Sequence, residues 1–461
     1  MTRKPLSIAL AAVIAIAAAS LAACADEPVR STRVVTVFGT LSDADVDDFL
    51  ASVAGFESST GIDVRFVGST NFEADLLERL RRGDPPDLAL LPQPGLLDTI
   101  VEDGFALPWT GELAAPAVEG VPTELTELVE FGGQTYGAWY QLTLKSLVWY
   151  SPRVFADRGL EVPSSWDELT AMTDALVAEG TTPWCIGIRA DGATGWVATD
   201  WVEDMVLRFA GPDVYDDWVS HRVTFSDDAI VAAVERFGAI ALSQDKVAGG
   251  NRAAVELTID ESARELLEKP TRCVLHRQAS FMPRLVGRSD LVVAPDGDLW
   301  AFPLPGVDGG EAPLVVGGTV TVRFSDDDDV DRLAGYLATD EAATRRADRG
   351  GFVSARSTVA LDRYSSTLDR FVAELLTEAD VVRFDASDLM PPEVGVGTFW
   401  TGMTSWLGGA RLRSVLADID ASWPVALTKP AVPFAAEVDA EVDAEVDAEV
   451  DAEVDAGGTD D

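Results

Sequence analysis

The chain has 461 residues, is 47% hydrophobic and carries a formal net charge of -43. That hydrophobic fraction is ordinary for a globular protein, whereas so acidic a field excludes nucleic acid as a partner and favours solubility. Only two histidines, His221 and His276, and three cysteines are present, none at metal-ligand spacing, so no metal or other cofactor is expected.

The chain opens with Arg3 and Lys4, an apolar run from Leu6 to Ala19, and then Leu21-Ala22-Ala23-Cys24. A positive start, a short apolar core and a small-residue cleavage site describe an export signal. The run is also shorter than the roughly 20 residues that cross a bilayer. This stretch resembles a bacterial lipoprotein signal, which implies loss of residues 1–23 and lipidation of Cys24. An ordinary secretory signal with a chance cysteine is the alternative. Residues 24–32 then form a tether, and the mature protein meets the extracytoplasmic face of the membrane through lipid alone.

Val34-Val35-Thr36-Val37-Phe38 predicts a first strand, and Ser42 a cap for a helix carrying Val46, Phe49, Leu50, Val53 and Phe56. Gly61 ends that helix, and Ile62–Val67 is a second strand. Phe72, Leu76, Leu77 and Leu80 mark a second helix, followed by a strand over Asp87–Leu91. Strand and helix in alternation predict a parallel sheet with helices on its faces. The pattern restarts after Tyr150. Ser165-Trp166-Asp167-Glu168 has capping-box spacing, and helices dominate from Asp200 to Leu267. Leu291–Ala294 and Leu314–Val316 read as strands returning to the first sheet, with Val330–Thr339 and Glu341–Arg349 helical.

Roughly 400 residues remain between the signal and the tail, which suits two lobes better than one core. The expected division is 33–142 with 288–340 for the first lobe and 143–287 with 341–430 for the second. The first crossover falls near Gln141–Lys145. Once Cys24 is assigned to lipid, Cys185 and Cys273 form an even pair in an oxidising compartment. A disulfide is the economical reading, with two free buried thiols as the alternative. Beyond the lobes, Ala-Glu-Val-Asp occurs five times from Ala436 to Asp455. One apolar residue in four, with no basic partner for the acids, cannot bury a core, so residues 436–461 are read as a disordered tail.

Six segments carry a resemblance: NFEADLLERLRRGDPPDLALLPQ (71–93), FGGQTYGAWYQLTLKSLVWY (131–150), VPSSWDELTAMTDALVAEGTTPW (162–184), GWVATDWVEDMVLR (195–208), CVLHRQASFM (273–282) and PPEVGVGTFW (391–400). Together, in number and order, they resemble the carbohydrate-type extracellular solute-binding proteins of ABC importers, the α-glucoside-binding group most of all. The likeness spans Val34 to Trp423 and leaves the acidic repeat outside. It implies an α/β, two-lobed periplasmic-binding-protein-like fold, with a mixed or parallel sheet flanked by helices in each lobe and a hinge between them. It further implies a monomer that captures a sugar or oligosaccharide and hands it to permease subunits. Among site residues it points to Asp87, Gln93, Lys145, Gln278, Gly317 and Gly318. Asp87 equally fits a strand-end cap.

The residues themselves point the same way. A sugar offers apolar C–H faces and a rim of hydroxyls, so its site needs aromatic platforms interleaved with carboxylates and amides. Trp139 and Tyr140 follow Gly137, Trp196 and Trp201 flank Asp200 with Asp204 one turn on, and Trp400 follows Gly395 and Gly397. Trp149, Trp166, Trp184 and Trp406 read instead as packing residues. Two rival readings remain. A glycoside hydrolase would need paired carboxylates, for which Asp200 and Asp204 are the candidates, but no catalytic motif accompanies them. A sugar-sensing surface lipoprotein shares every feature of the importer reading, and neighbouring permease genes separate the two. Replacing Cys24 with Ser is expected to move the protein from the membrane fraction to the soluble fraction; retention on the membrane would contradict lipidation.

Overall fold

The computed structural model describes residues 33–424 apart from 42, 251, 308 and 311. The signal, Cys24, the tether, Ser42 and the acidic repeat lie outside the described residues.

The opening alternation is present. Strands β1 (Arg33–Gly39), β2 (Ile62–Gly68) and β3 (Leu88–Leu91) are parallel, with β1 between the other two. Helices Asp43–Thr60 and Phe72–Arg81 connect them. Phe49, Val53 and Phe56 of the first helix are buried at helical spacing. Gly61 leaves that helix at φ +75°, a conformation that costs other residues a clash at Cβ. A small hairpin of β4 (Glu130–Phe131) and β5 (Gln134–Thr135) precedes β6 (Gly137–Leu144).

Next in the chain comes β7 (Leu147–Tyr150), the centre of a second, three-stranded sheet. Its antiparallel neighbours are β8 (Leu275–Arg277) and β9 (Trp300–Pro303). Helices Trp166–Ala178, Trp196–Phe209 and Asp228–Ala241 belong to this more helical lobe. Ser165 caps the first of them by accepting from Glu168 N. The Glu168 carboxylate reaches back one residue further than in the standard box, to the amide and hydroxyl of Ser164.

The chain then returns through β10 (Leu314–Arg323), which runs antiparallel to both β3 and β6. β11 (Val353–Ser354) adds to the outer edge of β6, and β12 (Val382–Phe384) lies parallel to the first residues of β10. The result is a seven-stranded mixed sheet facing a three-stranded one. The chain passes between the sheets at Lys145–Ser146, at 304–313, and from Asp385 onward.

The strands change sheet at places other than those expected. Leu291–Ala294 is a loop with one isolated bridge, Val293 to Leu299, closed by Asp298 against the amide of Val292. The strand that follows, β9, stays with the second sheet. Residues 341–384, expected in the second lobe, place β11 and β12 on the first sheet instead.

Cys185 and Cys273 are joined in the second lobe, 88 residues apart in sequence. Beside them His276 on β8 is buried, its Nδ1–H donating to the Cys185 carbonyl at 2.7 Å. Burial, then the nearby Arg277 charge, pull its pKa down to about 4 despite that bond. The unfolded chain therefore takes up a proton near pH 6.5 that the folded chain refuses until about pH 4. Stability is complete above pH 6.5 and falls as pH drops through that window, by about 3 kcal/mol in total from this group. A His276→Asn variant, which keeps a donor but cannot titrate, is expected to lose that share of its acid sensitivity in urea unfolding between those pH values. An unchanged pH slope would contradict the assignment.

Candidate ligand-binding cleft

All three crossovers meet one helix. Trp196, Asp200, Asp204 and Arg208 recur at four-residue spacing along Trp196–Phe209, so they form one stripe, with Glu203 beside it. From that stripe each crossover is held separately. At the first, the Lys145 ammonium lies 3.1 Å from Asp200 and 2.8 Å from Asp385, and the Ser146 hydroxyl donates to Asp204 at 2.5 Å while accepting from Val315 N. At the second, Arg208 donates to the carbonyls of Leu304, Pro305 and Pro313 and pairs with Asp204. At the third, Glu203 accepts the amides of Ala386 and Ser387, and Asp385 N bonds Val316 O. Arg277, from β8, seals the cluster with Asp200 at 2.9 Å and Asp204 at 2.6 Å.

The charges balance only when two of the acids keep their protons. Burial, then neighbouring carboxylates, push Glu203 and Asp388 well above the usual carboxylate range. Burial also pushes Asp200 up to about 6, against the pull of Lys145 and Arg277. For Asp204 and Asp385 burial is outweighed by the cations and hydroxyls around them, and both are held low. Lys145 stays protonated because Asp200, Asp385 and Asp388 together overcome its desolvation. Asp200, Asp204 and Asp385 are the carboxylates that pair directly with Lys145, Arg208 and Arg277. Oxygens of Asp200, Glu203 and Asp385 come within 4.8 Å of one another, a spacing that suits a cation. The Lys145 ammonium already bridges two of them.

Trp196, at the head of the helix, is half-buried, with the Lys145 ammonium 5.1 Å from its ring centre and Phe281 beside it. On the first lobe Gln93 follows β3 and immediately precedes the Pro94–Glu102 helix, whose Gly95 backbone touches the carbonyls of Leu389 and Met390. Gln93 is 6% exposed and donates to Glu73 at 2.8 Å, while its Oε1 has no protein partner. Burial raises Glu73 above its ordinary range.

Several residues expected to bind ligand are placed elsewhere. Trp201 is 1% exposed, stacked on Phe237 and edge-on to Trp184, with Arg277 over the ring. No face is left for a sugar. Trp139 is 2% exposed, packed on Phe384, and its indole donates to Leu125 O. Tyr140 lies between Phe49 and Phe352 in the first lobe's core. Asp87 clamps two strands by accepting the amide and hydroxyl of Thr36, as a strand-end residue. Asp200 and Asp204 are wholly buried in ion pairs, out of a ligand's or a substrate's reach. Gln278 stitches β8 to β7 through its backbone and holds Ala279 N with its Oε1. Gly317 and Gly318 admit close neighbours: a Cβ would lie 2.9 Å from Lys145 Cε at the first and 2.9 Å from the Trp139 ring at the second. Trp400 is 5% exposed, its indole 3.4 Å from Ser387 on the third crossover. Gln93, Lys145, Trp196 and Trp400 are the expected residues that lie at or beside the crossovers. Glu73, Glu203, Arg208, Arg277, Asp385 and Asp388 were not anticipated. Asp385 and Asp388 stand at helical i, i+3 spacing just before the PPEVG segment, which is the one signal they offered.

Comparison with known proteins gives the chain its family. The family model described as bacterial extracellular solute-binding protein matches residues 43–269. The osmoprotective compounds-binding protein GgtB of Synechocystis is 37% identical over 393 residues, 85% of this chain and 92% of that protein. The chain belongs to the bacterial extracellular solute-binding proteins. Another member, the alpha-glucosides-binding periplasmic protein AglE of Rhizobium meliloti, is 34% identical over 400 residues, 85% of this chain and 87% of its own length. Among solved structures, a chitin oligosaccharide binding protein superposes with a TM-score of 0.72 at 18% identity, covering 85% of this chain and 98% of its own. The maltose-bound MalE3 of T. maritima gives 0.66 at 16%, covering 84% and 98%. These two share the fold. No helix among the described residues is long and apolar enough to cross a membrane.

Proposed function

We propose that the protein is a lipid-anchored, extracytoplasmic receptor that captures a sugar or oligosaccharide, of the α-glucoside class, between its lobes and delivers it to an ABC importer. Two observations carry this reading: the partly exposed Trp196 ring beside Lys145 at the first crossover, and the partnerless Gln93 acceptor just before the helix that touches the third. An aromatic face covers apolar C–H surface, and a buried acceptor is costly to leave unpaired, so a hydroxyl that fills it is selected. Pockets favour the junction of two lobes. The names of the relatives support the solute class, and that of GgtB favours osmoprotective solutes as a second reading. No bond is made or broken in this scheme, because the paired acids that hydrolysis would need are locked against Arg277. The receptor acts as a monomer, without a cofactor.

Isothermal calorimetry against α-glucosides, galacto- and xylo-oligosaccharides and osmoprotective solutes tests the reading. Trp196→Ala is expected to weaken binding of the preferred solute by about tenfold or more, the loss of a stacked ring. Trp201→Leu is expected to lower stability by about 3 kcal/mol while leaving affinity unchanged in the folded fraction. Binding of no sugar in the panel, or equal affinity for Trp196→Ala and wild type, would overturn the assignment. Release of a shortened product from any bound oligosaccharide would show an enzyme instead.

A further inference from the structure

The short helix Met282–Val286 follows β8 and packs against the Ile259–Glu265 helix, so it belongs to the second lobe. One of its side chains crosses to the first. Arg284 Nη1 lies 2.6 Å from Asp45 Oδ1, and Nη2 lies 3.6 Å from Asp48 Oδ2. Both carboxylates stand near the start of the Asp43–Thr60 helix, just beyond the C-terminal end of β1, where an N-terminal dipole adds to their setting. The groups are three-quarters or more buried, well beyond an ordinary surface pair.

The shape of the first lobe fits the guanidinium. A Cβ at Gly351, beside β11, would lie 2.0 Å from Arg284 Nη2 and 2.7 Å from Cζ. The guanidinium therefore rests on bare backbone, in space that any side chain would fill. The charges fit as well. Around this socket the first lobe gathers three carboxylates, Asp45, Asp48 and the buried Asp369, whose Oδ2 accepts from Gly351 N. It supplies two guanidiniums of its own, Arg346 at 3.5 Å from Asp45 and Arg349 at 2.9 Å from Asp48. The third comes from the other lobe. A further contact joins the lobes at a separate place, where a Cβ on Gly192 would lie 2.3 Å from the Asn71 side-chain oxygen.

We propose that Arg284 is a positioning residue that docks into a socket of Asp45, Asp48 and Gly351 on the opposite lobe and holds the two lobes closed. Opening withdraws the guanidinium and leaves the socket with one carboxylate uncompensated. Closure by solute then draws on this interaction as well as on contacts in the cleft, because a two-state element shifts with whatever favours one state. The inference rests on solute capture between moving lobes, and on nothing about which solute is captured.

The test uses spin-label distances between cysteines introduced at two exposed positions, Ala54 on the first lobe and Asp157 on the second, in full-length protein carrying Cys24→Ser and with no solute added. Wild type is expected to show a short-distance population at low ionic strength that gives way to a longer one at about 1 M NaCl, where the screening length falls to about 3 Å. Arg284→Ala is expected to show the longer distance at both ionic strengths, and Asp45→Asn with Asp48→Asn, on the other lobe, to match it. Arg284→Lys, which keeps the charge without the fork, is expected to recover part of the short population. If one of these variants fails to fold by circular dichroism, its counterpart on the opposite lobe carries the test. A wild-type distribution at both ionic strengths in the folded variants overturns the proposal, whether or not a sugar is ever found to bind.

Discussion

A sealed cluster of ions holds this fold together at the place where it is topologically weakest. The chain leaves its first sheet, returns, and leaves again, and at each passage a short run of backbone must be satisfied without a strand partner. Arg208 and Glu203, on a single helix, take up backbone groups of the second and third crossovers, and Lys145, Arg277, Asp200, Asp204 and Asp385 close the charges around them. Ions so deeply buried gain little over apolar packing of equal volume. What they provide is direction: a guanidinium that reaches Leu304, Pro305 and Pro313 at once fixes both ends of a crossover as no leucine could.

The same cluster positions the cleft. Trp196 begins the helix whose next turns carry Asp200 and Asp204, and the Lys145 ammonium lies over its ring. The Trp196 ring is thereby tied to the first crossover. Burial, and then the surrounding carboxylates, push Asp388 and Glu203 well above the usual carboxylate range.

Much of the fold was legible in the sequence because it rests on local pattern. The strands and helices from Val34 to Leu91 follow from β-branched runs, helical spacing and terminating glycines. The second sheet was harder. Leu291–Ala294 has strand composition, yet the turn closed by Asp298 binds its amides and pairing passes to Trp300–Pro303. At the site, the error over Trp201 was one of phase. Five residues along a helix rotate a side chain by about 140°, so Trp196 and Trp201 cannot share a face, whereas Trp196, Asp200, Asp204 and Arg208 can. Partners from distant segments, such as Arg277 and Asp385, leave no local trace, since an arginine on a short strand reads like any surface residue until its neighbours are known.

The buried ions are what hold the crossovers in place. Urea unfolding of Arg277→Met measures this most directly, because the variant keeps the side-chain bulk and removes only the charge and its donors. Breaking one partner out of a buried cluster is expected to cost about 3–5 kcal/mol, as Asp200 and Asp204 each lose one of their two cations and keep only Lys145 and Arg208. Stability within about 0.5 kcal/mol of wild type, the range of an ordinary surface substitution, would contradict it.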